Sequence, residues 1–346
     1  MLYDALRGVP RGTVILPAFI CPSLTAMAVA AGKRVVHLDV DPDTMTVDPD
    51  ILTGFLGTID PSDAVLLLDH PFGYPNDSVH QVRGRYPELL IIEDCVRALG
   101  SRVGGRPVGR DGDWVLLSLY KATPGNDHGA VLLSRTPLDV RDGPPPKVAL
   151  RQRIATLGPA RLLYELAKRR RPDYRDTPRG LPGPRWSPTV GTPNRLCLER
   201  FCRWMGRVEQ DVERRLEAAR SIRQALSDVD AIRFIRPPAG GEPNAYFLSF
   251  RVTGGVSRNG LLAALHRRGF FLLRTWDLVP AFFGGLADTF PYGCSGSVHL
   301  ADHVAHVPVV RFLSSRRRDH LIHALREVTE SGRKAVVPTN GALTLL

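Results

Sequence analysis

Two continuous apolar runs, each ending in charged residues, constrain the fold of this chain more than any other feature. The first run spans 89–94 and ends in Glu93 and Asp94, and the second spans 114–121 and ends in Lys121. Runs without apolar–polar alternation are typical of strands buried on both faces of a parallel sheet. Because ligands bind outside the carboxyl ends of such strands, the sequence predicts Asp94 and Lys121 at one sheet edge, on different strands.

The segments around these runs alternate between short apolar strands and helices. Strands are predicted at 14–17, 34–38, 64–68 and 89–93, and helices between them at 21–31, 50–56 and 79–86. Beyond residue 100, the pattern predicts a Gly-rich hairpin at 101–109 and an antiparallel strand pair at 114–121 and 130–134. This order predicts an α/β fold with a mostly parallel sheet and right-handed crossovers.

The 346 residues are enough for two domains with substantial cores. The pattern predicts a large domain at 1–195 that includes a Pro- and Arg-rich crossing segment at 135–195, a linking helix at 196–229, a smaller α+β domain at 230–330, and a loose tail at 331–346. Within the crossing segment, one helix is predicted at 151–170.

The composition narrows the class of protein. The net charge is +11, but the basic runs, such as 169–171 and 316–318, are scattered and have no interleaved aromatic residues. We therefore predict no nucleic-acid partner, although phosphorylated or nucleotide-linked small substrates would suit the positive charge. No run of 18 apolar residues and no signal peptide is recognisable, which predicts a cytoplasmic protein without a membrane span.

The cysteines give no sign of a disulfide framework or of a zinc site. They number five and have no C-x-x-C spacing; their positions are 21, 95, 197, 202 and 294. No His, Asp or Glu grouping has metal-ligand spacing either, so the sequence predicts no metal.

A lysine and an aspartate at one sheet edge suit pyridoxal phosphate chemistry. The lysine amine of Lys121 would form a Schiff base, and the carboxylate of Asp94 would keep the pyridine nitrogen protonated so that the ring acts as an electron sink. On these two residues alone, a pair of solvated strand ends is the simpler interpretation.

The order and spacing of further segments favour the cofactor-binding interpretation over solvated strand ends. These segments are 14–23, 39–44, 70–75, 92–95, 105–109, 118–121 and 129–131. Together they resemble the DegT/DnrJ/EryC1/StrS family of pyridoxal-phosphate aminotransferases, densely up to residue 134 and thinly from there to 328. The resemblance implies an aspartate-aminotransferase-like fold of type I with pyridoxal 5'-phosphate as cofactor. It also implies a homodimer whose active sites lie at the subunit interface.

The resemblance assigns roles to particular residues. Lys121 matches the Schiff-base lysine that also moves protons, Asp94 matches the partner of the pyridine nitrogen, and Ser118 matches the serine that binds the cofactor phosphate. Arg97 stands where the family has Gln or His and would donate to the phenolic oxygen of the cofactor, unless its side chain points to solvent. Cys21 stands where an aromatic residue often stacks on the ring.

Two departures from the family pattern affect the expected activity. The family has a phosphate-binding helix start before the position of residue 2, and its serine and lysine are five residues apart, whereas Ser118 and Lys121 are three apart.

We expect an aminotransferase that moves an amino group from an amino acid to a keto group, on a nucleotide-linked sugar or a secondary-metabolite precursor. The alternative is a catalytically impaired, N-terminally truncated member that serves as a binding or assembly subunit. Trp276 lies in a loop that can approach the substrate.

Overall fold

The computed structural model describes residues 2–121, 123, 126, 129–138, 176–177, 179–180, 195–283 and 288–336. The helix predicted at 151–170, most of the crossing segment, and the end of the tail from 337 lie outside the described residues. The predicted domain limits at 195 and 230 therefore remain predictions.

A seven-stranded sheet forms the centre of the molecule. Its strands are β1 (Thr13–Pro17), β2 (Arg34–Leu38), β3 (Ala64–Asp69), β4 (Leu90–Asp94), β7 (Trp114–Ser118), β8 (Ala130–Ser134) and β12 (Asp288–Phe290). They lie in the order β12-β2-β1-β3-β4-β7-β8. All described pairs in this sheet are parallel except β7–β8, which is antiparallel. The predicted mostly parallel sheet and the antiparallel pair are thus confirmed.

Helices connect the strands of the N-terminal half as the sequence pattern predicts. They are α1 (Leu2–Gly8), α2 (Pro22–Ala30), α3 (Pro49–Leu56) and α4 (Ser78–Arg85). Local chemistry fixes where they begin. Pro22 opens α2, and the Asp48 carboxylate accepts the backbone N–H groups of Asp50 and Ile51 at the start of α3.

The predicted single helix over 196–229 is wrong in one respect, because the structure divides it in two. The two helices are α5 (Arg195–Met205) and α6 (Val208–Ala225). The break falls at Gly206, a residue with low helix propensity, and Arg207 leaves the helical conformation with φ −124° and ψ 4°. Trp204 Nε1 donates to Asp211 Oδ2 across the break at 2.9 Å.

The C-terminal half has its own antiparallel sheet and core. The sheet has the order β13 (Val304–Pro308), β11 (Phe247–Val252) and β9 (Ile232–Phe234). Its helices are α7 (Arg258–Arg267), α8 (Ser295–His303) and α9 (Ser315–Val336). α9 continues to residue 336, beyond the predicted start of the tail at 331. A third small sheet, β10 (Gly241–Glu242), β5 (Arg102–Val103) and β6 (Arg106–Pro107), joins the predicted Gly-rich hairpin to this half.

The two halves share the large sheet and one apolar core. β12 pairs in parallel with β2, although it lies far along the chain, and Phe247 and Phe282 pack into the same cluster as Ile15 and Phe19. Asp39 ties the halves further, because its carboxylate accepts the backbone N–H groups of two residues in the first turn of α8 at 2.8 Å each. The sequence pattern did not predict β12, since three residues are too few to show periodicity.

Candidate active site

A cleft lies at the carboxyl edge of the large sheet, where β4 and β7 run side by side. Asp94 is the last residue of β4, and Lys121 follows the end of β7 by three residues. Both line the cleft, together with Cys21 and Arg97; the remaining walls are Ile20, Asp69, His70, Pro71, Phe72, Val96 and Trp276. The structure thus brings four of the residues singled out from the sequence to one place. Trp276, expected to approach a substrate, lies in the wall.

The walls of the cleft stand close together. The space between them is about 330 Å³ with the open mouth included, but only about 30 Å³ of it can take the centre of a water molecule. A space of the smaller size holds one or two waters. The side chains that surround Lys121 therefore determine how much of the cleft a ligand can use.

Ser118 lies beside the cleft rather than in its wall. The residue is buried at the end of β7, and its Oγ accepts the backbone N–H of Lys121 at 3.2 Å. The hydroxyl therefore fixes the turn that carries the lysine. The role in phosphate binding that the resemblance implies for Ser118 stays a prediction.

Asp94 carries a carboxyl group whose environment only partly stabilises its charge. Burial raises its pKa, and this effect outweighs the N–H of Val96, which donates to Oδ1 at 3.0 Å, and the positive charge of Lys121.

The sequence reasoning missed a second carboxyl group, that of Asp69, which ends β3 directly opposite Asp94. Burial, and then the charge of Asp94, raise the pKa of Asp69 well above its usual value. A strand-end carboxylate on the neighbouring strand was the signal that could have revealed it.

Lys121 has an amine that is easier to deprotonate than an exposed lysine. Burial lowers its pKa first and the charge of Arg97 second, while Cys21 and Asp94 oppose the shift. Its backbone carbonyl accepts a hydrogen bond from the Tyr246 hydroxyl, which comes from the C-terminal half. A lysine with a lowered pKa is a better nucleophile and proton carrier near neutral pH.

Arg97 points into the cleft, so the alternative of a solvent-facing side chain is wrong. Its guanidinium lies over the rings of Phe72, Trp276 and Phe247, at 4.7, 5.0 and 5.4 Å from their centres. Nη1 is shielded from solvent and has no hydrogen-bond partner among the described residues. Burial lowers the pKa of Arg97, but a guanidinium stays charged because its usual value is so high.

Residues from the C-terminal half, where the family resemblance is thin, hold this arrangement. Asn244 Nδ2 donates to the backbone carbonyls of Arg97 and Leu99 at 2.9 Å each. His306 stacks on Phe72 at 3.9 Å between ring centres, and burial lowers its pKa to about 3, so the imidazole stays neutral. These contacts give His306 a structural role.

A buried group behind the cleft has the residue types of a metal site. His70, Glu93 and Cys95 place their ligand atoms within 4.8 Å of one another. However, His70 Nε2 lies 3.2 Å from Glu93 Oε2, and the same carboxylate accepts the N–H groups of Gly109 and Asp111 at 2.7 and 2.9 Å. Burial also raises the pKa of Cys95 well above its usual value. Protein donors already satisfy these oxygens, which makes the group a structural anchor of the hairpin.

Two further findings concern the chain as a whole. All five cysteines are free. In the part of the chain that the structure describes, we find no helix that combines the length and the apolar character needed to cross a bilayer.

Solved structures identify the architecture. TlmJ, an aminotransferase from Streptoalloteichus hindustanus, superposes with a TM-score of 0.67 at 24% identity over 95% of this chain and 83% of its own. A DegT DnrJ EryC1 StrS aminotransferase from Brucella abortus gives 0.68 at 20% identity over 94% and 83%. The PLP form of Spr1654 from Streptococcus pneumoniae gives 0.67 at 16% identity over 95% and 84%. The chain therefore has the type I fold of pyridoxal-phosphate-dependent aminotransferases.

Sequence comparison relates the N-terminal third of the chain to a family. Residues 1–124 match the DegT/DnrJ/EryC1/StrS aminotransferase family, which confirms the predicted resemblance over this segment. A UDP-N-acetyl-3-dehydro-alpha-D-glucosamine 3-aminotransferase of Acidithiobacillus ferrooxidans is 28% identical over 131 residues, 36% of this chain and 33% of that protein. An L-glutamine:2-deoxy-scyllo-inosose aminotransferase of Streptomyces kanamyceticus is 30% identical over 101 residues, 29% of this chain and 23% of that protein. The matched segments thus span a third or less of these relatives.

Proposed function

We propose that this protein is a pyridoxal-phosphate-dependent aminotransferase that moves an amino group from an amino acid to a keto group. One observation carries the proposal: Asp94 and Lys121 line the same cleft at the carboxyl edge of a type I sheet. The family match over residues 1–124 supports it from an independent direction.

The groups in the cleft have the chemistry that the cofactor requires. Asp94 offers a carboxylate for a protonated ring nitrogen, Lys121 offers a primary amine, and Arg97 Nη1 is a buried donor without a partner among the described residues. Cys21 would pack on a face of the ring, in the position that the resemblance gives it. When bound, the cofactor supplies an electron sink for the substrate carbon that exchanges its amino group.

The protein groups would then orient the reactants and move protons. The negative charge of Asp94 favours a protonated partner in the cleft, since the two charges attract at short range in a poorly solvated site. Lys121, with its lowered pKa, can carry a proton to and from the substrate carbon once its amine is free. Tyr246 and Ser118 hold the backbone on either side of this amine.

The named activities of two relatives support a proposal for the class of substrate. The named activities of the two curated relatives concern a nucleotide-linked sugar and a cyclitol. We propose a keto substrate of this kind, a nucleotide-linked sugar or another secondary-metabolite precursor, with an amino acid as donor. We also propose a homodimer in which each active site lies at the subunit interface.

The alternative is a protein that keeps the fold as a binding or assembly subunit. The position of Ser118 favours it, because this hydroxyl accepts the Lys121 backbone N–H and does not line the cleft. A weak phosphate site would lower the affinity for the cofactor without changing the fold.

Absorbance spectroscopy tests both proposals. Purified protein incubated with pyridoxal phosphate should develop the visible band of a lysine-linked cofactor. Lys121→Ala should lose the band entirely, and so should Lys121→Arg, which keeps the positive charge but has no primary amine. A colourless wild-type protein at saturating cofactor would overturn the enzyme proposal. A band without amino transfer to any keto sugar would favour the binding subunit.

A further inference from the structure

The guanidinium of Arg97 contains a hydrogen-bond donor that the described protein does not use. Nη1 is shielded from solvent, and no described residue accepts its N–H groups. Buried donors in native proteins are nearly always paired, and an unpaired donor on a charged group is especially costly. Such a group, located in the wall of a candidate active site, indicates a missing acceptor.

The surroundings of Arg97 hold the side chain without using its N–H edge. The rings of Phe72, Trp276 and Phe247 lie against the guanidinium, with centres 4.7, 5.0 and 5.4 Å away. A cation over an aromatic ring interacts with the ring face and needs none of its N–H groups for hydrogen bonds to that ring. Asn244 fixes the backbone carbonyl of the same residue at 2.9 Å. The side chain is therefore held in place while Nη1 stays available to an acceptor.

The charges of the cleft favour an anion as well. Arg97 places a second cation near Lys121. The cleft also holds the carboxyl groups of Asp94 and Asp69, but burial and the charge of Asp94 raise the pKa of Asp69 well above its usual value and so disfavour a second negative charge. Both cations face the same aromatic ring, since Lys121 Nζ and Arg97 Cζ are 5.9 and 5.0 Å from the centre of the Trp276 ring.

We infer that Arg97 binds the carboxylate of the amino-acid substrate through Nη1, so that donor and keto-acid product are held in the cleft that Lys121 lines. This inference rests on the proposed function, which supplies an amino acid as donor. A guanidinium matches a carboxylate with two parallel hydrogen bonds, which a lysine ammonium cannot reproduce. The rival acceptor is the phenolic oxygen of the cofactor, which offers one oxygen instead of two.

Calorimetric titration of the cofactor-loaded protein with glutarate, and with the uncharged glutaramide, tests the inference. Wild-type protein should bind glutarate at least about tenfold more tightly than glutaramide, as expected for charge-assisted hydrogen bonds. Arg97→Gln should remove this preference, and Arg97→Lys should restore only part of it. Arg220→Gln removes an exposed arginine from α6 and should leave the preference unchanged.

Kinetics and spectra separate the carboxylate role from a merely structural one. In Arg97→Gln, the KM for glutamate should rise about tenfold or more, with kcat changed less than about threefold. Unaltered glutarate binding in Arg97→Gln would overturn the inference. The inference would also fail if Arg97→Gln changed the pH titration of the cofactor band but not the binding of glutarate. Arg97 would then contact the cofactor and not the substrate carboxylate. If the wild type shows no cofactor band, the proposed function fails, whereas glutarate titration of that same protein still decides the role of Arg97.

Discussion

Glu93 and Asp94 are adjacent carboxylates at the end of one strand, but they have opposite environments. Glu93 accepts the N–H groups of Gly109, Asp111 and Gly112 and pairs with His70. Asp94 accepts one described backbone N–H, from Val96, and otherwise faces the cleft. Because side chains alternate across a sheet, one carboxylate is enclosed by protein donors and the other remains available to a ligand.

The pKa values of the two groups show the same contrast. Burial raises the pKa of Glu93, but the hydrogen bond and charge of His70 and the backbone N–H groups outweigh it, so the net pKa is lowered. Burial of Asp94 is not offset to the same degree, and its pKa is raised. Adjacent residues of similar chemistry thus stabilise the fold in one case and remain accessible from the cleft in the other.

The largest expected effect comes from removing the satisfied carboxylate. Glu93→Ala should leave three backbone N–H groups and His70 without their acceptor, which should lower the free energy of unfolding by about 3–5 kcal/mol. Urea unfolding followed by circular dichroism measures the change. A loss below about 1 kcal/mol would show that the hairpin does not depend on this network.

Asp94→Asn should change the free energy of unfolding little and the rate of amino transfer strongly, the reverse of what we expect for Glu93→Ala. The amide keeps the shape but cannot stabilise a protonated ring nitrogen, so amino transfer should fall by about 100-fold or more, while the unfolding free energy changes by less than about 1 kcal/mol. Activity assays and urea unfolding of the same preparation give both values. Normal activity in this variant would remove Asp94 from the proposed site.

The pH dependence of the free energy of unfolding should also distinguish Glu93 from Asp94, with a smaller effect than the two substitutions above. Glu93 has a folded-state pKa below its unfolded value of 4.5, so its stabilising contribution is present above that value and is lost as pH falls through the folded pKa. Asp94 has a folded-state pKa above 3.8, so its buried charge destabilises the protein as pH rises through the folded pKa. Unfolding measured from about pH 3 to 7 in Glu93→Gln and Asp94→Asn should give difference curves of opposite slope. Parallel curves would contradict the assigned environments.

The smallest expected effect concerns the link between the halves of the molecule. Tyr246→Phe removes the hydroxyl that donates to the Lys121 carbonyl and should cost about 1 kcal/mol of stability. The looser lysine backbone should also reduce amino transfer severalfold, whereas cofactor absorbance persists. Tyr292→Phe, at an exposed position, serves as the control. Equal activity in the two variants would show that Tyr246 does not position the lysine.

The parts of the site that could be predicted are those encoded by neighbouring residues. The apolar runs predicted strands β4 and β7. Because the two strands were expected to be parallel, Asp94 and Lys121 were predicted at one edge of the sheet. Arg97 could be named from its spacing to Asp94, but its orientation could not, because Phe247 and Trp276 hold it from sequence positions about 150 residues or more away. The break at Gly206 and the strand β12 escaped prediction for a different reason, since each involves too few residues to alter the periodicity.

The sequence by itself determined the alternation of strands and helices, the mostly parallel sheet, and the edge at which an amine and a carboxylate meet. These follow from hydrophobic periodicity, which is local. Only the tertiary structure decided that Glu93 is enclosed and Asp94 is open, and that Asp69 lies opposite Asp94. The same holds for the Arg97 donor that faces the cleft and has no partner among the described residues. Each of these depends on contacts between distant segments, and the burial and hydrogen bonds that set charge and pKa exist only once those segments pack together.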